Sequence, residues 1–243
     1  MDRSIHTPEG VRDVFSEECR KKRTLQRKIE KVFQVYGYQE IETPTFEFFD
    51  VFGREVGTTP SRELYKFFDR EGNTLVLRPD FTPSIARAVS MYYTDEAFPI
   101  RLWYQGSSFV NNSSYQGRLK ESTQMGVELV NEDSPMADAE LLAMTVRLML
   151  DAGFREFQVS VGHVGYFQAL IKEARLTGEG VRQLRELISI KNYFGVEELL
   201  ESLRLRPEQS RALAEMTQMF GGAEVLQKAR TLTRNREALE AVE

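Results

Sequence analysis

The residues of this 243-residue chain best able to do chemistry stand in two short runs. The first is Thr123-Gln124-Met125-Gly126-Val127-Glu128-Leu129-Val130. Read as a strand, it sends Met125, Val127 and Leu129 to one face and Gln124, Gly126 and Glu128 to the other. A glycine between two polar residues leaves a floor with no side chain at its centre, and a small ligand could lie over it. The Gln124 amide can donate and accept, and the Glu128 carboxylate can receive an ammonium or an imidazole N–H. The same alternation also describes a strand with one wet face, and the run alone leaves both readings open. The second run is Leu77-Arg78-Pro79-Asp80-Phe81-Thr82-Pro83, where a strand ends at Pro79 and a helix begins near Pro83. Asp80 and Thr82 are the polar groups at that junction. They read equally well as a turn residue and a helix N-cap.

Other chemistries are poorly supplied. Arg118 and Lys120 could meet a phosphate, or could be solvated loop charges. His6 and His163 lie far apart, and Cys19 is the only cysteine, so no zinc-ligand cluster and no internal disulfide is expected. Neither a phosphate-binding nor a dinucleotide-binding glycine loop occurs, nor a G-x-S-x-G elbow. No metal or cofactor is expected.

These candidate residues need elements to position them. Leu25, Ile29, Val32, Phe33 and Tyr36 recur at helical spacing over 17–36, with Lys and Arg opposite and Gly37 as the stop. A strand over 38–44 ends at Pro44. Two aromatic or β-branched runs at 65–68 and 74–77 flank a polar, glycine-containing turn, which predicts a hairpin. A helix over 83–93 follows. Two long strands are expected at 100–109 and 120–130, joined by loop chemistry at 111–119. Ser134-Pro135 opens a helix that Gly153 stops, and Phe157, Val159 and Val161 alternate as one more strand. Beyond Gly165 the chain reads as helices broken at Thr177-Gly178, Gly195, Pro207 and Gly221-Gly222. A subdomain boundary is therefore expected near 165.

Composition narrows the class. Hydrophobic residues at 41% and charged residues at 28% are globular values. The formal charge of −5 argues against a surface that grips nucleic acid throughout, though a local basic patch remains compatible with it. The first residues carry no apolar run and no stretch is long enough to span a bilayer, so a soluble cytoplasmic protein is the expectation.

The order of these segments is more specific than any one of them. Pro8-Glu9-Gly10-Val11-Arg12-Asp13, the helix, the Pro-terminated strand, Arg78-Pro79-Asp80-Phe81-Thr82, Arg101-Leu102-Trp103-Tyr104, and Gln124-Met125-Gly126-Val127-Glu128 follow one another as in the catalytic core of histidyl-tRNA synthetase. The resemblance is close over about 6–165 and looser in the helical tail. It implies an α+β fold with a class II synthetase-like antiparallel sheet flanked by helices over 1–165, and an all-helical insertion over 166–243. It also implies that Asp80 and Thr82 hold a substrate amino group and that Gln124 and Glu128 contact histidine. Class II cores are generally dimers. The first helix and the strand ending at Pro44 would then lie at the interface, and the aromatic run Phe46-Glu47-Phe48-Phe49-Asp50-Val51-Phe52 fits either that interface or the protomer's own core.

Two departures bear on function. Synthetases carry F-R-x-E where this chain has Phe109-Val110-Asn111-Asn112, so valine replaces the arginine that grips carboxylate and phosphate. Adenylation needs such cationic clamps, because charge grows on the transferring oxygens. The family's later histidine-binding loop and third motif do not appear through Glu243, so a part of a longer protein is expected. The runs 78–82 and 111–118 resemble the regulatory subunits of ATP phosphoribosyltransferase. That branch implies a non-catalytic protein, a short-form catalytic transferase as partner, histidine as effector, a homodimeric core in a hetero-oligomer, and no tRNA. An active synthetase or a stand-alone amino-acid-binding module are the alternatives.

Overall fold

The computed structural model describes residues 3–53, 59–95, 98–112 and 117–243. The chain divides into two compact units, Met1–Gln158 and Val159–Glu243.

In the first unit, helix α1 (Ser16–Val35) is set by the apolar stripe that buries Val32 and Phe33, and Gly37 follows it at φ +80°. Of the strand expected over 38–44, only β1 (Gln39–Glu40) is ladder-paired, with Ile41 N–H adding a bond to the Trp103 carbonyl. The chain then turns through Pro44 into β2 (Phe46–Phe48). The expected hairpin forms as β3 (Lys66–Phe68) and β4 (Thr74–Leu77). Helix α2 (Thr82–Tyr92) follows, then β5 (Ile100–Phe109), β6 (Glu121–Val130) and α3 (Pro135–Ala152). The Ser134 hydroxyl accepts from Ala137 N–H at 3.3 Å, and Gly153 ends α3 at φ +105°.

The strands form two three-stranded sheets, β1-β5-β6 and β2-β4-β3. All pairings are antiparallel except β1 with β5, which is parallel and so departs from a wholly antiparallel sheet. One face of the β5–β6 sheet packs Trp103, Met125, Val127 and Leu129 against Val32, Phe33 and Met144. On that side Arg101 clamps Glu140 of α3 through its two terminal guanidinium nitrogens. The other face packs Ile100 and Leu102 against Phe81 and Ile85 at the start of α2. In the second sheet the pleat is inverted: Glu47 is 8% exposed, while Phe46 and Phe48 are more than half exposed. Glu47 can be buried because Arg87 of α2 donates to it at 2.8 Å. Of the aromatic run, Phe52 is buried in the protomer's own core, while Phe46 and Phe48 are exposed.

The strand expected over 157–161 is not formed. Among the described residues no strand pairs with it, and Val161 is 71% exposed. Unpaired alternation gains no ladder bonds, so periodicity alone does not make a strand.

The second unit is helical: α4 (Val164–Glu173), α5 (Gly178–Ser189), α6 (Tyr193–Ser202), α7 (Pro207–Met216), α8 (Glu224–Leu232) and α9 (Arg236–Glu240). Its own core holds Tyr166, Leu170, Leu184, Val196, Leu200 and Leu213. The Tyr166 hydroxyl donates to the Ala229 carbonyl at 2.9 Å. Gly195 is not a break. It lies in the first turn of α6, where its N–H is capped by Asn192 Oδ1 at 3.0 Å.

Candidate functional site

The face of β6 that carries Gln124, Gly126 and Glu128 is the face on which α2 begins. Register places Gly126 opposite Tyr104 and Glu128 opposite Leu102. Thr82 does not cap its helix. Phe81 holds the N-cap position with no side-chain bond, and Thr82 is the first helical residue. Its hydroxyl instead donates to Glu128 Oε1 at 2.6 Å, tying the helix start to the strand. Asp80 turns back on the chain, its Oδ1 accepting from Phe81 N–H at 2.7 Å.

The electrostatics are those of an anionic hole. Burial pushes the Glu128 carboxyl above its ordinary range; the Thr82 hydroxyl pulls it down and the nearby Asp80 charge raises it again. The Tyr104 phenol is pushed up to about 12, first by burial and then by Glu128 and Asp80. It therefore keeps its proton at any physiological pH and can donate. Among the described residues no guanidinium or ammonium pairs with either carboxylate.

The floor over Gly126 is not open in this structure. A Cβ there would overlap the Tyr104 phenol oxygen and lie 2.6 Å from its Cζ. Glycine thus lets the phenol lie flat on the strand. Tyr104 is held by a stack: Phe81 lies on it with ring centroids 4.4 Å apart at 13°, and the Arg78 guanidinium lies 4.0 Å from the Phe81 centroid. Arg78 is 6% exposed. Its Nε donates to the Ser107 carbonyl at 2.8 Å and its Nη1 to the Thr43 carbonyl at 2.8 Å. Gly106 is the matching cradle, since a Cβ there would overlap the guanidinium. Sequence reasoning missed Arg78, Phe81 and Tyr104 as parts of the site. Their signal was the pair of glycines, Gly106 and Gly126, but which aromatic each faces depends on register.

Gln124 lies opposite Gly106 on the same face, and its Oε1 is buried without a hydrogen-bond partner. It makes no bond to Asp80, Thr82 or Glu128. Arg118 is exposed and makes no hydrogen bond or ion pair with the described residues, so the structure does not bring it to the cluster. The Lys120 side chain packs over Gly10. At the position of the synthetase arginine, Val110 donates its N–H to the Lys120 carbonyl, and Asn112 Nδ2 reaches the Leu119 carbonyl at 3.4 Å. Ser113, Ser114, Tyr115 and Gln116 of the distinctive loop run lie outside the described residues.

A family model described as histidyl-tRNA synthetase matches residues 10–243. A protein of Acetivibrio thermocellus named ATP phosphoribosyltransferase regulatory subunit is 38% identical over 238 residues, covering 98% of this chain and 57% of that protein. One of the same name from Ruminiclostridium cellulolyticum is also 38% identical, at 98% and 57% coverage. This chain therefore spans little more than half the length of these relatives. Among solved structures, a Bacillus halodurans protein titled ATP phosphoribosyltransferase regulatory subunit/histidyl-tRNA synthetase aligns with TM-score 0.89 and 34% identity, over 98% of this chain and 62% of that one. The histidyl-tRNA synthetase of Nostoc sp. PCC 7120 aligns over 98% of this chain and 55% of that one with TM-score 0.78 at 19% identity, a likeness of fold.

Proposed function

Because the chain belongs to the histidyl-tRNA synthetase family, and its relatives carry the regulatory-subunit name, we propose that it is the synthetase-like part of an ATP phosphoribosyltransferase regulatory subunit. In this reading it charges no tRNA. It binds free histidine and passes that state to a short-form catalytic transferase, in a hetero-oligomer built on a homodimeric core.

The observation that carries the reading is the pair Asp80 and Glu128, half-buried together with no cation between them. Like charges at a partly dry site raise each other's cost, and a cationic ligand relieves it. An amino-acid ammonium or an imidazolium is such a ligand. The Thr82 hydroxyl orients the Glu128 carboxylate, and the protonated Tyr104 phenol offers a donor to an acceptor on the ligand. Because the phenol fills the space over Gly126, a ligand lying there displaces or tilts it. That movement would run through the Phe81–Arg78 stack to the strand ends that Arg78 bonds. A coupling of about 1–3 kcal/mol is ordinary for such regulation.

The hairpin supports a non-catalytic role. Val110 offers no cation to a polyphosphate, and Asn112 stands where the synthetase has glutamate.

The test is reconstitution of the full-length protein with a short-form transferase. Histidine should inhibit the complex, and Glu128→Ala should remove that inhibition while leaving assembly intact. Inhibition unchanged by Glu128→Ala would overturn the site. ATP–pyrophosphate exchange dependent on histidine would instead establish the synthetase alternative.

A further inference from the structure

A second cleft lies wholly within the helical unit, where the C-terminal ends of α4 and α8 meet the N-terminal end of α7. We propose that it is a separate binding site for a small zwitterion, an unmodified amino acid.

The cleft encloses about 470 Å³, within the ~300–1,000 Å³ range of small-ligand clefts. Its floor is apolar, from Leu170, Ala212 and Leu232. Its walls carry charge of both signs, arranged by the helices. Glu173 is the last residue of α4, where the helix dipole is negative, and α8 ends beside it. Both features favour a cation. Beside it, Arg206 immediately precedes α7, whose N-terminus favours an anion; its exposed guanidinium pairs with Glu208 at 2.9 Å and stands 3.8 Å from Glu173. Arg234, on the α8–α9 link, lines the same cleft and has no ionic partner among the described residues.

The carboxylate is held ready. Thr233 donates to Glu173 Oε2 at 3.2 Å, while Arg206 stands at 3.8 Å from Oε1, too far to saturate it. The frame between the two poles is fixed by Gln209. Its amide nitrogen donates to the Glu173 carbonyl at 2.8 Å, and its amide oxygen accepts from Arg206 N–H. A ligand ammonium fits at Glu173 and a ligand carboxylate at Arg234, with Arg206 drawn toward it from its exposed, weak pair with Glu208 and the ligand side chain over the apolar floor. A simple anion would face Glu173 and Glu208; a simple cation would face two arginines. Only a molecule carrying both charges satisfies both ends.

The test uses the intact chain carrying Glu128→Gln, which weakens the site described above, while the Arg234 and Glu173 substitutions report on the cleft alone. Equilibrium dialysis with a panel of radiolabelled L-amino acids at millimolar concentration reads binding. At least one should bind, and its N-acetyl and methyl-ester forms should bind about tenfold or more weakly, because each loses one charge. Arg234→Gln, an exposed change that leaves the core untouched, should weaken binding about tenfold, as should Glu173→Gln. No binding by any amino acid would overturn the proposal. So would binding that ignores both substitutions, or that tolerates the loss of either ligand charge.

Discussion

At the scale of the residue, the candidate site is organised around a carboxylate kept in an unfavourable state. Glu128 has its carboxyl raised by burial and by Asp80. A raised folded pKa stabilises the fold fully below the unfolded value, and that stabilisation is lost as pH rises through the folded one. At neutral pH the ionised group is therefore a cost to the empty protein. Glu128→Gln should raise thermal stability at pH 7, with the gain shrinking as pH falls toward 4.5, as a melting series would show. The same change should weaken histidine binding roughly 10- to 100-fold, the loss of a charge-assisted hydrogen bond. A cationic ligand draws the Glu128 proton off, so affinity should rise with pH through the weakly acid range. Calorimetry in buffers of different ionisation enthalpy would detect the released proton. Ser84 makes a contrast. It is fully buried with a hydroxyl that has no partner, and nothing in the site uses it. Ser84→Ala should stabilise by about 1 kcal/mol, measured by urea unfolding.

At the scale of the element, the site depends on two glycines that let α2 and its preceding turn lie on a sheet. Gly126 accommodates the Tyr104 phenol and Gly106 the Arg78 guanidinium. Gly126→Ala should cost about 1–3 kcal/mol, because the added methyl pushes the Tyr104 ring off its stack on Phe81 with no ligand contact to offset the loss. Circular-dichroism melts would read the cost, and histidine titration should show weakened binding in the folded variant. Arg78 joins the two sheets through the Thr43 and Ser107 carbonyls and through its own N–H to the Thr45 carbonyl. Arg78→Met keeps the stem and strands those side-chain-bonded carbonyls, an expected loss of roughly 2–4 kcal/mol by chemical denaturation. Arg78→Lys should rescue little, since an ammonium cannot fork to both.

At the scale of the whole molecule, each of the two units carries its own core. Leu200 is 1% exposed in the helical one. Leu200→Ala should destabilise that unit by about 2–5 kcal/mol. Hydrogen exchange should then accelerate in α4 to α9 while the amides of β5 and β6 stay protected. Histidine binding at Glu128 should survive the change, which separates the helical cleft from the site on the sheet.

Much of this was legible in the residues. Period-3.6 stripes, Ser134-Pro135 and Gly153 set α3 without help from the rest of the chain, because caps and dipoles act locally. Strict alternation separated the face of β6 that packs on α1 and α3 from the face that carries Gln124 and Glu128. Other features needed the fold. The alternation at 157–161 makes no strand, because a strand exists only by pairing. Thr82 looked like a cap and became a tie to Glu128, a residue distant in sequence. Tyr104 entered the site because register set it opposite Gly126, and Arg118 stayed outside it. The sequence determined which groups could carry charge and which backbone positions had room. Only tertiary structure decided which of them meet, because register and sheet contact are relations between segments that no single segment contains.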